Sequence, residues 1–308
     1  MAVSLLVVAV ISSVVDFTEN GKRPFVADQN LTPFCGERAL SHVRKLVGLG
    51  PRTAGSRSID RARRYIEAEL SQLGVQVMED GFETRLEDGV VGMENIVAII
   101  PGKSDPIIAV GGHYDTKHIP GANDGGSSAG LLLELCRCLS EAASKMPFNH
   151  TLWVIFFDGE DTGDTPETMF YGSRHLAERV DREGIRIRSL ILVDMVGDKK
   201  LGIARDRNSD PRLNDLIWSL ASAMGYGSYF KRSSISVLDD HIPFSAIGVP
   251  SSVIIDFRHG PMNCYWHTQR DDLDKIDPAS LKIVGDVVYE AVLSLDRGKP
   301  ALGDLSRT

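Results

Sequence analysis

Residues 152–161 read LWVIFFDGED, six apolar residues in a row followed directly by a short segment with three carboxylates. An uninterrupted apolar run is typical of a strand buried on both faces of a mainly parallel sheet, because a half-exposed strand alternates apolar and polar residues. Similar runs occur at residues 107–111, 190–193 and 253–255. The sequence therefore predicts a buried, mainly parallel sheet.

Helical patterns surround and separate these strands, with apolar residues at spacings of three and four. Helices are predicted at residues 37–47, 58–73, 129–142, 173–180, 213–224 and 278–295, and further strands at residues 75–78 and 95–100. This alternation predicts an α/β fold, a three-layer α/β/α domain with a mixed, mainly parallel central sheet. No Gly-x-Gly-x-x-Gly motif opens a helix after a strand, so a dinucleotide-binding fold has no support.

Composition and charge limit the classes of function. The chain has 308 residues, of which 43% are hydrophobic, enough for a substantial core. Its 34 Lys and Arg residues are outnumbered by 42 Asp and Glu, and no basic run could follow a phosphate backbone, so nucleic acid is not an expected partner. We expect a monomer with an N-terminal hydrophobic segment and linker at 1–33, a single domain at 34–300 and a C-terminal tail at 301–308.

The first fifteen residues are almost wholly apolar. A transmembrane helix needs about 20 apolar residues, so this run is short for one. It resembles the apolar core of an export signal, although the basic start and a clear cleavage site are missing. The sequence favours an exported protein, which is periplasmic, secreted or held by an N-terminal membrane anchor. A cytoplasmic protein with a buried N-terminus is the alternative.

The four cysteines, at positions 35, 136, 138 and 264, are too few and too scattered for a disulfide framework. Cys136 and Cys138 point in different directions on a predicted helix. We therefore expect them to be buried core residues rather than a metal-binding pair.

Polar side chains follow the predicted buried strands at their carboxyl ends, where open α/β sheets bind ligands. The residues are His113 and Asp115, Asp124, Glu160 and Asp161, Asp194, and His267. One imidazole and two carboxylates at one edge of a sheet are what a catalytic zinc requires, with a fourth position left for water or substrate, so the pattern predicts a metal site. Taken singly, Asp124 is also typical of a helix N-cap, Asp194 of a turn and His267 of a hydrogen-bonded residue.

Six short motifs resemble those of the zinc aminopeptidase superfamily and occur in the same order. They are His113-Tyr114-Asp115, Gly121-Ala122-Asn123-Asp124, Asp158-Gly159-Glu160-Asp161, Val193-Asp194, Asp239-Asp240-His241-Ile242-Pro243-Phe244 and Trp266-His267-Thr268. Within that superfamily the chain is most similar to the glutaminyl-peptide cyclotransferases, or glutaminyl cyclases. The features that favour this branch are the doubled Asp239-Asp240, Trp266 beside His267, and the segment FYGSRHL at 170–176.

The resemblance implies that Asp124, Asp161 and His267 bind zinc and that Glu160 is the catalytic acid and base. This division suits the local geometry, because adjacent residues leaving a strand point in different directions. One carboxylate can then bind the metal while its neighbour moves protons.

The resemblance further implies that Asp194 and Asp239 are catalytic carboxylates that hydrogen-bond around the reacting centre. Trp266, next to the zinc-binding histidine, is expected to form a wall of the substrate pocket. In the aminopeptidases the residues that match His113 and Asp194 hold a second zinc, with the residue that matches Asp124 bridging the two ions. Both residues are present in this chain, so the letters leave open whether one or two zinc ions bind.

The expected activity is that of a zinc-dependent glutaminyl-peptide cyclotransferase, which converts the N-terminal glutamine of a peptide to pyroglutamate and releases ammonia. That activity implies one zinc per chain and, as partners, peptides or proteins with a free N-terminus. A zinc aminopeptidase with one or two zinc ions is the alternative. A non-catalytic binding domain on the same zinc-dependent exopeptidase-like fold is a third possibility.

Three features depart from the family pattern. Asp161 stands where the family usually has Glu, so the ligand is one methylene shorter. Gly112 and Ala129 replace a cysteine pair of many animal cyclases. The stretch from 250 to 266 is longer and carries Arg258 and His259. Four histidines outside the motifs are expected in loops or on helix surfaces: His118, His150, His175 and His259.

Overall fold

The computed structural model describes residues 32–86 and 89–298. The apolar segment at 1–15 and the tail at 301–308 lie outside the described residues. Within the described ranges, no helix is both long and apolar enough to cross a membrane.

A six-stranded mixed sheet forms the centre of the molecule. The strands of the chain are β1 (Gln76–Leu86), β2 (Gly89–Ile100), β3 (Ser104–His113), β4 (His150–Phe157), β5 (Ile187–Asp194), β6 (Ile203–Asp206), β7 (Phe230–Ile235) and β8 (Ser251–Ile255). The central sheet has the order β1-β2-β4-β3-β5-β8, in which β4, β3, β5 and β8 are parallel and β2 is antiparallel to both of its neighbours. Strands β6 and β7 form a separate parallel pair.

Helices cover both faces of the sheet. They are α1 (Gly36–Gly48), α2 (Arg57–Gln72), α3 (Gly126–Lys145), α4 (Tyr171–Glu183), α5 (Pro211–Ala223), α6 (His241–Ala246) and α7 (Pro278–Asp296). Buried side chains of α1, α2, α3, α5 and α7 share one apolar cluster with the sheet, while those of α4 and α6 share a second cluster with it. The predicted three-layer α/β/α fold is therefore confirmed.

Strand β4 shows why an uninterrupted apolar run marks the middle of this sheet. All six residues from 152 to 157 are buried. Leu152, Val154 and Phe156 belong to the cluster on one face, and the other three residues of the run belong to the cluster on the other. Because successive strand residues point to opposite faces, each face of β4 needs its own apolar layer.

The cysteines behave as predicted. Cys136 and Cys138 are buried in α3, and no disulfide joins the four cysteines, all of which lie in the described part of the chain.

Candidate active site

The parallel strands bring the predicted site residues to one edge of the sheet. His113 and Asp194 are the last residues of β3 and β5. Glu160 and Asp161 follow the end of β4, and His267 lies in the loop after β8. Four chain segments that are distant in sequence therefore meet at the carboxyl ends of the sheet, as the strand pattern predicted.

Asp124, Asp161 and His267 converge on one point. His267 Nε2 lies 3.1 Å from Asp161 Oδ1 and 3.4 Å from Asp124 Oδ2. Both carboxylate oxygens are buried, and neither has a hydrogen-bond partner among the described residues. Buried charged oxygens without donors are costly, and a divalent cation beside an imidazole nitrogen would satisfy them. The three side chains fit a zinc ion.

The backbone at the start of α3 directs Asp124 toward this point. The N-cap of α3 is Gly125, without a side-chain cap bond, so interpreting Asp124 as a helix cap is wrong. Gly125 has φ of +74°, and a Cβ there would lie 2.3 Å from the carbonyl oxygen of Asp115 and 3.1 Å from Cε1 of His113. The turn that presents Asp124 therefore requires glycine.

Gly125→Ala should lower both stability and zinc content, because the new methyl group would push the Asp124 turn away from β3. We expect a loss of more than about 2 kcal/mol in the free energy of unfolding. Gly184→Ala is the matched control: Gly184 also has positive φ, at +66°, but beyond its own chain neighbours no atom of the described residues lies within 4 Å of the added carbon. The control should lose about 1 kcal/mol and keep its zinc. Equal behaviour of the two variants in denaturant titration and metal analysis would contradict this account of Gly125.

Asp115 sets the direction of the two adjacent residues Glu160 and Asp161. Its buried carboxylate accepts the backbone N–H of Glu160 at 3.2 Å and that of Asp161 at 3.0 Å. The two side chains then diverge: Asp161 faces His267, whereas Glu160 Oε2 lies 3.8 Å from Nδ1 of His113. The division of labour expected of these neighbours is thus geometrically possible.

The carboxylates of the site differ in their affinity for protons. Burial, and then the neighbouring Asp161 carboxylate, raise the pKa of Glu160 well above its usual range. Burial also tends to raise the pKa of Asp161, but its contact with His267 and the charge of His113 lower it below the usual value. A carboxyl group with a raised affinity for protons beside one with a lowered affinity suits a proton shuttle beside a metal ligand.

Asp194 and His113 lie in contact on the other side of Asp124. His113 Nε2 is 3.0 Å from Asp194 Oδ1 and 3.3 Å from Asp124 Oδ1, and Ser128 donates a hydrogen bond to Asp194. Atoms of His113, Asp124 and Asp194 lie within 4.8 Å of one another and could hold an ion. The two oxygens of Asp124 thus face two different sets of side chains, the arrangement that a bridging ligand needs.

Asp239 and Asp240 lie at the start of α6 and complete the acidic lining. Asp239 Oδ1 accepts the backbone N–H of Asp240, and Asp240 accepts a hydrogen bond from Ser173 Oγ at 2.5 Å. Burial and the charge of Asp194 raise the pKa of Asp239 well above its usual range. The second oxygen of Asp239 is buried without a hydrogen-bond partner in the described residues.

Trp266 forms an aromatic wall beside the site. Its ring stacks on His267 with centroids 3.9 Å apart, and it meets Phe257 edge-on at 5.0 Å. The wall gives an otherwise acidic site one apolar surface, where a substrate side chain could pack.

Sequence reasoning missed Arg52, which holds the loop that leads to Asp124. Its buried guanidinium donates hydrogen bonds to the carbonyl oxygens of Tyr114, Pro120 and Gly121, at 2.7 to 3.1 Å. An arginine between Pro51 and a predicted helix gives no signal of burial, because its partners are backbone atoms about 65 residues away.

His259 lies in the loop after β8, as expected, but it is not at the surface. The residue is fully buried between Asp198 and Asp271. The polar composition of its loop suggested exposure, and the two carboxylates that bury it come from other turns of the chain. His118 is exposed, as expected, while His150 and His175 are half-buried.

Comparison with known proteins identifies the relatives of this chain. Residues 95–292 match peptidase family M28. A glutaminyl-peptide cyclotransferase of Drosophila melanogaster is 29% identical over 273 residues, which cover 78% of this chain and 76% of that protein. A probable leucine aminopeptidase of Arthroderma benhamiae is 29% identical over 216 residues, 64% of this chain and 57% of that protein.

Solved structures give the same picture. The glutaminyl cyclase of Porphyromonas gingivalis superposes with a TM-score of 0.80 at 30% identity, covering 86% of this chain and 99% of that one. An Acidobacteriales glutaminyl cyclase also gives 0.80, at 31% identity over 92% of this chain and 100% of that one. A Zn-dependent exopeptidase of Parabacteroides distasonis gives 0.77 at 28% identity, covering 84% of this chain and 98% of that one.

Proposed function

The chain belongs to peptidase family M28, and from that premise we propose that it is a zinc-dependent glutaminyl-peptide cyclotransferase. The observation that carries the proposal is the pair Glu160 and Asp161, in which the Asp161 carboxylate faces His267 and the Glu160 carboxylate, whose pKa is raised, faces His113. The cyclase is favoured over the aminopeptidase because the sequence similarity to the glutaminyl-peptide cyclotransferase spans more of this chain than the similarity to the probable leucine aminopeptidase does.

Asp124, Asp161 and His267 would hold one zinc ion per chain. When bound, zinc would supply a Lewis acid that polarises the γ-carbonyl of an N-terminal glutamine. The buried, unbonded oxygens of the two aspartates support this assignment, as does the zinc dependence named for the exopeptidase relative.

Glu160 would move the proton. Its carboxylate takes a proton from the α-amine as the nitrogen attacks the γ-carbonyl carbon, and then gives that proton to the side-chain amide nitrogen as the carbon–nitrogen bond breaks and ammonia leaves. Asp194 and Asp239 would accept hydrogen bonds from the reacting amine and amide. The aromatic face of Trp266 would pack against the substrate and limit the access of water.

A zinc aminopeptidase is the second candidate, and one observation favours it. His113 and Asp194 face the second oxygen of Asp124, so a second ion could bind there. Metal analysis separates the candidates in part: two tightly held zinc ions per chain would support the peptidase, whereas one would support the cyclase or a one-zinc peptidase. A non-catalytic binding domain is disfavoured by the presence of Glu160.

Metal removal should abolish ammonia release from a peptide that begins with glutamine. We expect a chelator to stop the reaction and one equivalent of zinc to restore it, because the γ-carbonyl would be polarised only when zinc occupies the site. Ammonia is measured with a coupled assay, and a peptide with N-terminal pyroglutamate is the blank. Ammonia release that persists in metal-free protein would contradict the zinc-dependent mechanism.

We also propose that the protein is exported, that it acts on peptides or proteins with a free N-terminus, and that it is a monomer. The apolar character of residues 1–15 supports export, although these residues lie outside the described part. Fusion of residues 1–33 to a reporter that is active only after export tests the first point. Light scattering of the purified protein tests the last.

A further inference from the structure

A buried group of three side chains lies beside the loops that carry Asp124 and His267. His259 is 0% exposed; its Nδ1 lies 2.7 Å from Asp198 Oδ2, and its Nε2 lies 3.0 Å from Asp271 Oδ1. We call Asp198, His259 and Asp271 the Asp–His–Asp clamp. Asp198 follows β5 and the other two follow β8, so the clamp joins separate segments of the chain.

Asp271 binds the backbone of the loop that presents Asp124. Its carboxylate accepts the N–H of Asn123 at 2.8 Å and the N–H of Asp124 at 3.1 Å. Its carbonyl oxygen accepts the N–H of Ala122 at 3.2 Å. Since Asp271 lies only four residues after His267, it fastens the loop of one proposed zinc ligand to the backbone of another.

The charge state of His259 suits this arrangement. Burial alone would lower the pKa of His259, but its hydrogen bonds with Asp198 and Asp271 raise it to about 9. At neutral pH the ring is therefore an imidazolium that donates from both nitrogens. A cation at hydrogen-bond distance offsets the cost of burying the Asp271 carboxylate.

We propose that the Asp–His–Asp clamp is a positioning device that sets the zinc affinity of the site. His259 fixes Asp271, and Asp271 fixes the separation between Asp124 and His267. These are positioning residues, because they act only through the metal ligands. The inference rests on the zinc site of the proposed function, but it does not depend on which reaction that site performs.

His259→Gln tests the clamp, and His150→Gln is its matched control. His150 also pairs with an aspartate, Asp296, at 3.2 Å, but it lies at the opposite end of β4 from the site. Competition with a chromophoric chelator gives the zinc dissociation constant of each folded protein. We expect His259→Gln to bind zinc about 10- to 100-fold more weakly, the usual effect of losing an outer partner of a metal site, and the control to bind as the parent does.

Rescue by zinc separates positioning from general damage. At zinc concentrations that saturate His259→Gln, kcat should return close to the parental value, because the clamp touches neither Glu160 nor the substrate. Asp271→Asn provides a second variant of nearly unchanged size. It should lose at least as much zinc affinity, because an amide cannot accept both backbone N–H groups.

Either of two results would overturn the clamp. The first is zinc affinity within about twofold of the parent in folded Asp271→Asn, or in folded His259→Gln. The second is equal weakening in the His150→Gln control. If the parent binds zinc and either result is found, the clamp is overturned but the proposed function stays intact. Failure of the unsubstituted protein to bind zinc would overturn the clamp and the proposed function together.

Discussion

Glu160→Gln is expected to yield a folded, zinc-loaded protein whose turnover of a glutaminyl peptide falls by about 10² to 10⁴, the usual contribution of a positioned acid and base. The amide of glutamine has nearly the same shape as the carboxyl group but cannot take a proton from the α-amine. Folding should survive, since the side chain of Glu160 makes no hydrogen bond within the described residues and burial already favours its neutral form. Zinc should remain, since the three proposed ligands are unchanged.

Three measurements on this variant belong together: turnover, zinc per chain, and the thermal unfolding midpoint. Glu167→Gln is the control, a substitution of the same type at an exposed position in the loop beyond Asp161. It should match the parent in all three. Turnover of Glu160→Gln within about tenfold of the parent, with zinc bound, would refute the role of Glu160 as proton shuttle.

Asp161→Ala is expected to lose both zinc and activity. The substitution removes one of the three groups that converge on the metal position, and Ala supplies no ligand. We expect zinc affinity to fall by more than the loss of about 10- to 100-fold that follows when a hydrogen-bond partner of a metal ligand is removed. The metal-free variant should still fold, because removing Asp161 relieves repulsion with the buried carboxylates of Asp124 and Glu160.

The control for this variant is Asp164→Ala, three residues along the same loop. Asp164 is exposed and forms a surface ion pair with Lys117, so the substitution should leave zinc content and turnover unchanged. Glu160→Gln and Asp161→Ala together give opposite patterns, the first inactive with metal and the second inactive without it. Stoichiometric zinc in folded Asp161→Ala would remove Asp161 from the ligand set.

The fold could be predicted because its strongest signals are local. The apolar run at 152–157 implied burial on both faces, and its side chains alternate between the two apolar clusters. Strand β7 and helix α6 could not be predicted, because their local signals are weak. The strand is mostly exposed and polar, FKRSSI, and the helix is only six residues long with a proline inside it. Neither contains enough periodic residues to show a pattern.

The sequence predicted which residues line the site, but not which residues hold the loops that carry them. Asp124 could be a cap or a ligand until the position of Gly125 as N-cap decided between them. His259 looked like a surface residue because its partners, Asp198 and Asp271, meet it only in the folded chain. Side chains that touch a metal belong to recognisable motifs, whereas the side chains that hold the metal loops are defined only by tertiary contacts.

The proposed cyclotransferase activity is tested most directly by one mass-resolved assay on zinc-loaded protein. Two peptides that differ only in their first residue, glutamine or leucine, are incubated together and followed by mass. We expect the glutamine peptide to lose the mass of one ammonia while the leucine peptide stays intact. Release of free leucine, with the glutamine peptide uncyclised, would contradict the cyclotransferase and identify an aminopeptidase instead.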